Sequence, residues 1–197
     1  MNKKLNVKDL INIGLFTILI FIFTFIGGMI GFVPILMPIV PFITGLFAGP
    51  VSMLFSTKIK KPGMLFIEQM IIAIIFVVTG HGPWMLVTAV FGSIFGEIVL
   101  KKGGYSSTNH ARLAFVVASL SGLGNWIPIF FAREKYIEQM LQMGYGQDYA
   151  NKMMSVLPNW SLVPITIFGM LGVYIGCTIG ISILKKHFVK AGMIKEV

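Results

Sequence analysis

The sequence predicts an all-α, polytopic membrane protein with six transmembrane helices and both termini in the cytoplasm. Three observations carry this. The 197 residues are 56% hydrophobic and 12% charged, against about 25% charged in a soluble domain, so too few charges exist to cover a water-facing surface. Mean hydropathy is +0.86, and apolar runs of about the 20 residues that a spanning helix needs recur along the chain. The basic residues fall in short clusters between those runs rather than along one face, so the net charge of +9 does not point to nucleic acid. The whole chain, 1–197, reads as a single integral membrane domain in the plasma membrane.

The first run, 10–30, has Asn12 as its only strongly polar member and is followed at once by another apolar run, so no cleaved leader is expected. The second, 32–55, carries Pro34, Pro38 and Pro41 in its first half. Each proline removes a backbone donor, which hydrocarbon tolerates only where the backbone is buried in protein or lines a cavity. An irregular start inside the bundle is therefore expected. A basic loop (Lys58, Lys60, Lys61) precedes the third run, 64–79, which contains Glu68 and Gln69.

The break that follows, Thr79-Gly80-His81-Gly82-Pro83-Trp84, reads as a tight turn of a helical hairpin. Its imidazole is either a ligand group or an ordinary solvated side chain. The fourth run is 84–100, with Glu97 near its end, and the fifth is 111–131, interrupted by Gly122, Gly124, Asn125 and Pro128. Glu68 and Glu97 lie about one turn from the cytoplasmic ends of their runs; pairing with loop lysines is favoured over the alternative, a transport role.

The long segment 132–161 has a helical pattern over 134–143, broken by Gly144 and Gly146, and Asp148 is placed to cap a second short helix. Two short helices between spans predict a cap lying on the membrane surface. The sixth run is 162–184. Gly172, Gly176 and Gly180 line one side of it, and Gly92 and Gly96 one side of the fourth; such spacing lets helix backbones approach closely.

Orientation follows from the basic residues. Lys3, Lys4, Lys8, Lys58, Lys60, Lys61, Lys101, Lys102, Arg112, Lys185, Lys186, Lys190 and Lys195 fall on one predicted side, and Arg133, Lys135 and Lys152 on the other. The richer side is expected to be cytoplasmic, which turns the His81 turn, the 27–34 turn and the cap outward.

The outward polar groups are His81 and Trp84 at the third turn, Asn125 and Trp126 in the fifth run, and Asn159 and Trp160 before the sixth. Two Asn-Trp pairs and one His-x-x-Trp supply flat stacking surfaces with a few hydrogen-bonding groups, the composition of a small-molecule pocket. An aromatic belt accounts for the tryptophans but not for the adjacent asparagines. His81, His110, His187 and Cys177 are scattered without zinc-like spacing, so no metal centre is expected; Cys177 reads as a packing residue. The chain contains no G-x-x-x-x-G-K-[ST] loop, no H-E-x-x-H and no G-x-S-x-G, so it is not expected to be an enzyme.

Six stretches taken in order resemble a known family: Leu-Asn-Val-Lys-Asp-Leu at 5–10, Phe-Ile-Gly-Gly at 25–28, Pro-Ile-Leu-Met-Pro at 34–38, Thr-Gly-His-Gly at 79–82, Leu-Pro-Asn-Trp at 157–160 and Lys-Lys-His-Phe at 185–188. They are similar to the MptD/Trep_Strep branch of the S components of energy-coupling factor (ECF) transporters. The resemblance implies an S-component-like bundle that binds a vitamin, cofactor or similar micronutrient from outside. It further implies association with a transmembrane T component and two cytoplasmic ATPase subunits, and no intrinsic cofactor. Many S components carry two alanines four apart in the first helix for T-component docking. Here Gly14 and Thr17 are small but position 18 is Ile.

Aromatics, one outward His and several Met residues suit a flat, partly apolar ligand. Haem is the first expectation, with His81 as its possible axial ligand; an aromatic vitamin or tryptophan-like compound is the second. The competing readings are a stand-alone secondary transporter or channel and a membrane-embedded enzyme using His81.

Overall fold

The structure, a computed structural model, describes residues 4–189. Lys3, Lys190 and Lys195 of the basic clusters lie outside the described residues. Helix makes up 85% of the chain, and no strand occurs among the described residues. Five segments are long and apolar enough to cross a membrane: Val7–Phe32, Pro34–Ser56, Trp84–Lys102, Thr108–Phe131 and Asn159–Lys186. The sixth apolar helix, Met64–Val78, has 15 residues, about 22 Å at 1.5 Å per residue, against about 30 Å of hydrocarbon.

Helix α1 (Val7–Gly28) starts on a capping box: the Asn6 side chain accepts from Asp9 N, and the Asp9 carboxylate accepts from Asn6 N. The prolines make the start of the second run irregular, as expected, but do not place it inside the bundle. Two 3-10 turns, Met29–Phe32 and Pro34–Ile39, precede α2 (Val40–Ser56). No residue of Pro34–Ile39 is fully buried. This stretch packs beneath the cap, against Gln147–Val156, rather than inside the bundle.

Helices α3 (Met64–Val78) and α4 (Trp84–Lys102) form the hairpin around His81. The fifth run is two helices, α5 (Thr108–Ala118) and α6 (Leu123–Phe131), joined by a 3-10 turn at Ser119–Gly122. The cap is α7 (Arg133–Gln142) and α8 (Gln147–Val156). Asp148 lies inside the first turn of α8, where its charge suits the helix dipole; the N-cap position belongs to Gly146, which makes no side-chain cap. Helix α9 (Leu162–Ile183) closes the bundle.

The glycine spacing marks the tightest seam. A Cβ at Gly176 would stand 2.6 Å from Gly45 O and 2.7 Å from Leu46 O, and one at Gly49 would stand 2.5 Å from Cys177 N. Gly172 faces Phe42 and Gly180 faces Pro50 in the same way. Helices α2 and α9 therefore touch backbone to backbone, with Phe42 stacked on Phe168 at 4.4 Å between ring centroids. Gly92 and Gly96 serve the α4–α5 contact against Ser121, Ala118 and Ala114.

Contacts sort the bundle into two ends. Lys61 reaches Asp9 at 2.6 Å, the Gly63 amide meets Glu97 at 3.0 Å, and Arg112 reaches Thr178 at 3.2 Å. The start of α1, the start of α3, the end of α4, the start of α5 and the end of α9 thus share one basic end. The cap occupies the other. A core of Ile13, Phe16, Met53, Phe55, Met64 and Leu65 fills the basic half, and a second core of Ile129, Phe130, Met140, Met153, Leu157 and Ile165 ties the cap to α6 and α9. Ile18, Phe91 and Ile167 stand exposed on the outside, as lipid-facing residues do.

Candidate functional site

The cap end is built from three backbone features that the sequence imposes. Gly80 and Gly82 take left-handed φ of 97° and 81°, a conformation that costs glycine least, so the chain reverses between α3 and α4. The His81 ring sits edge-on to Phe76, 4.8 Å between centroids, with Nδ1 3.3 Å from Thr79 Oγ1. Desolvation against these neighbours holds the imidazole below its ordinary value, and a backbone hydrogen bond to Phe76 works the other way.

Next, the break in the fifth run is stapled to α4. Thr88 Oγ1 donates to Ser121 O at 2.6 Å and accepts from Gly124 N at 3.1 Å. A Cβ at Gly124 would stand 2.5 Å from Met85 N and 2.6 Å from the Trp84 carbonyl carbon. The start of α6 is therefore pressed onto the start of α4, which sets Asn125 beside the Trp84 turn. Asn125 Oδ1 is buried without a hydrogen-bond partner. Most buried polar atoms are paired, so this acceptor is an exception that calls for a reason. Trp126, its neighbour, packs into the cap core.

Finally, the cap is tethered over both hairpin turns. Tyr149 donates to Gly31 O at 2.6 Å and Gln139 Nε2 to Gly80 O at 2.9 Å. Arg133 donates to Leu157 O. Tyr136, Tyr145 and Tyr149 lie on the cap's inner side against the same core. Burial, with Tyr149 and Tyr145 beside it, pushes the Tyr136 phenol up to about 12, so it remains a donor at neutral pH.

Of the six residues expected to form a pocket, Trp126 packs into the cap core, Asn125 lies between it and the Gly124 contact with Met85, Trp84 is 48% exposed at the start of α4, and His81 sits in the turn before it. Asn159 and Trp160 are on the same end but exposed, Trp160 at 72%. Thr88, Gln139 and Tyr149 were not legible as site residues. Each acts through a contact with backbone far away in sequence, which no local pattern announces.

The family described as hypothetical bacterial integral membrane protein (Trep_Strep) matches residues 7–190. The chain belongs to the Trep_Strep family. No curated protein and no solved structure matches it.

The remaining expected positions of this Trep_Strep protein lie toward the basic end. Gly14 faces open space, with nothing within 4 Å of a Cβ built on it. Thr17 is turned into the core, 1% exposed, and donates to Ile13 O at 2.7 Å, so the two do not share an outward face. Among the described residues, neither glutamate pairs with a lysine. Glu97 Oε1 accepts from Gly63 N and Leu65 N, both at 3.0 Å, and Oε2 from Tyr105 at 3.1 Å. It caps the start of α3. Glu68 is fully buried, accepts from Gln69 Nε2 at 2.8 Å, and leaves Oε1 without a partner.

Proposed function

We propose that this protein is the substrate-binding membrane subunit of an ECF-type importer, an S component. It has six spans, with both termini in the cytoplasm and the α7–α8 cap outside the plasma membrane. It captures a flat, partly aromatic micronutrient of vitamin or cofactor type, with haem first among them, and catalyses nothing itself. A T component and two cytoplasmic ATPase subunits supply the energy, the T component docking on the open side of α1 at Gly14.

The observation that carries this reading is the buried, unpartnered Oδ1 of Asn125 beside Trp126, under a cap fastened to both hairpin turns. A dry acceptor next to an indole suits a ligand that stacks and donates one hydrogen bond. Purification from native membranes tests it: the T component and ATPases co-purify, and mass spectrometry identifies a bound small molecule. Asn125→Leu, similar in size but without the acceptor, lowers ligand affinity by roughly ten- to a hundredfold, the equivalent of about 1–3 kcal/mol. Purification of the chain alone, with unchanged uptake in cells lacking those subunits, rejects it.

Glu68 favours a second reading, a stand-alone transporter coupled to an ion. A fully buried carboxyl in an apolar helix is a functional position by default. Uptake that collapses with the ion gradient and in Glu68→Gln, yet needs no ATPase, selects that reading.

A further inference from the structure

At the basic end a groove of about 250 Å³ runs between α3 and α4. It is smaller than the roughly 300–1,000 Å³ of pockets that enclose a whole drug-sized ligand, and it is open to the outside, so it takes part of a long molecule. Phe66 forms one wall, and Ile94 and Ile98 the other. Ile94 and Ile98 are four apart on one face of α4 and 43% and 45% exposed. Lys101, one turn further along that face, and Tyr105 stand at the mouth.

The length of the helices explains why the groove exists. Helix α3 has 15 residues and α4 has 19, so α4 outlasts its neighbour by about 6 Å at 1.5 Å per residue. The space beside the extra turn is left to the surroundings, which in this family are lipid.

Its charge is equally informative. Glu97 lies at the groove floor, but both of its oxygens are taken by Gly63 N, Leu65 N and the Tyr105 hydroxyl. Burial and Glu97 push that phenol up to about 12, so it stays an uncharged donor. Lys101 is exposed, and no carboxylate among the described residues pairs with it. An apolar trough in the hydrocarbon that ends in a free ammonium at headgroup level is complementary to an acyl chain that ends in a phosphate.

We infer that the α3–α4 groove is a binding site for an anionic phospholipid. One acyl chain lies against Phe66, Ile94 and Ile98, and the headgroup phosphate meets Lys101. The inference needs membrane embedding only and stands whether or not the protein is an importer.

The test places a reporter in the groove. The native tryptophans lie elsewhere; Trp84, at the other end of α4, is about 21 Å from position 98. Ile98→Trp, in the full chain, is reconstituted into nanodiscs of phosphatidylcholine containing a small fraction of acyl-brominated phosphatidylglycerol or acyl-brominated phosphatidylcholine. Quenching beyond that of the parent chain reads occupancy of the groove. The expected preference for phosphatidylglycerol is about fivefold, the equivalent of about 1 kcal/mol for one lysine near the surface. Lys101→Gln on this background abolishes the preference. Lys102→Gln, the same loss of charge one residue away and outside the groove, keeps it. Equal quenching by the two lipids overturns the inference, as does equal loss in Lys101→Gln and Lys102→Gln, which would mean a diffuse basic surface. Where Ile98→Trp does not fold, phosphatidylglycerol retained by the otherwise unaltered chain and by Lys101→Gln is counted by native mass spectrometry. Lower retention in the variant supports the site, and equal retention overturns it.

Discussion

The Tyr149 hydroxyl donates to the Gly31 carbonyl at 2.6 Å, across 118 residues of sequence. It joins the second cap helix to the turn between α1 and α2. Gln139, on the first cap helix, holds the turn between α3 and α4 through Gly80 O. The cap is therefore fastened at two separate points, each a side chain on a backbone carbonyl. Tyr149→Phe removes one fastening, and Gln139→Leu the other. Each is expected to cost the cap about 0.5–1.5 kcal/mol. Hydrogen exchange of the α7 and α8 amides reads the change, with faster exchange in the double variant than in either single one and no change in the α2–α9 amides.

Glu97 supplies the next prediction. It satisfies amides at the start of α3 that have no acceptor inside the helix. Glu97→Leu strands three backbone donors, Gly63, Leu65 and Phe66, and the Tyr105 hydroxyl, with an expected loss of about 1–3 kcal/mol. Glu97→Gln retains an acceptor oxygen and loses less. A thermal melt in detergent ranks parent, Gln and Leu in that order. Tyr105 adds a pH signature. Its pKa is raised from 10.0 to about 12 in the fold, so its contribution is intact below pH 10 and disappears as pH climbs toward 12. Tyr105→Phe should flatten that alkaline decline.

The glycines separate packing from propensity. A Cβ at Gly176 meets backbone of α2 at 2.6 Å, whereas one at Gly14 meets nothing within 4 Å. Gly176→Leu is expected to part α2 from α9 and abolish a monodisperse species on size exclusion. Gly14→Ala is expected to be tolerated and to stabilise slightly, by roughly 0.5–1 kcal/mol, because a helical glycine is entropically costly.

The same contrast explains what the sequence could and could not reveal. Gly172, Gly176 and Gly180 were readable as a seam because their spacing alone aligns them. The prolines announced an irregular start to α2, and Gly144 and Gly146 divided the cap into two helices. Thr17 was not placed correctly because α1 is apolar nearly all round: Ile13, Phe16 and Ile20 are buried while Leu15, Ile18 and Ile22 are exposed. A helix without a polar face gives no cue to its rotation. Glu97 was expected to find a lysine, yet the α3 amides are nearer and Lys61 is engaged by Asp9. Asn125 was readable as a polar interruption, but its orphaned oxygen depends on the Thr88 staple, which joins residues far apart in the chain.

The orientation of the termini is tested by labelling. Cysteines at Ser106, in the loop at the basic end, and at Gln147, at the start of α8, are expected to react with an impermeant maleimide from opposite sides of intact cells. The native Cys177 is fully buried and adds little background. Reaction of Ser106→Cys from outside, or of both positions from one side, would reverse or dismantle the assignment of the cap to the outer face.

His81 carries the last prediction. Its pKa is held below the ordinary 6.5, chiefly by desolvation, so the ring is neutral at pH 7. A histidine with a depressed folded-state pKa disfavours protonation: no penalty exists while the ring is neutral in both states, and the fold loses stability as pH falls below 6.5. Titration of the His81 ring by NMR should give a midpoint below that of a free histidine, and His81→Gln should reduce the acid sensitivity of the cap. The neutral ring is also the form that binds a metal, which ties the titration to the ligand. Haem added to the purified protein is expected to give a Soret band distinct from that of free haem at pH 7. The band should weaken on acidification and shift in His81→Ala. Gly82 leaves open space beside His81, whereas Met143 packs against Gly80, and the Thr79 contact engages Nδ1, which leaves Nε2 as the nitrogen for iron. Thr79→Ala should therefore weaken haem binding where His81 Nε2 is the axial ligand, because the ring loses the contact that orients it. An unchanged haem spectrum in the parent protein discards haem as the ligand. The acid sensitivity of the cap, which needs no ligand, stands or falls separately on the titration.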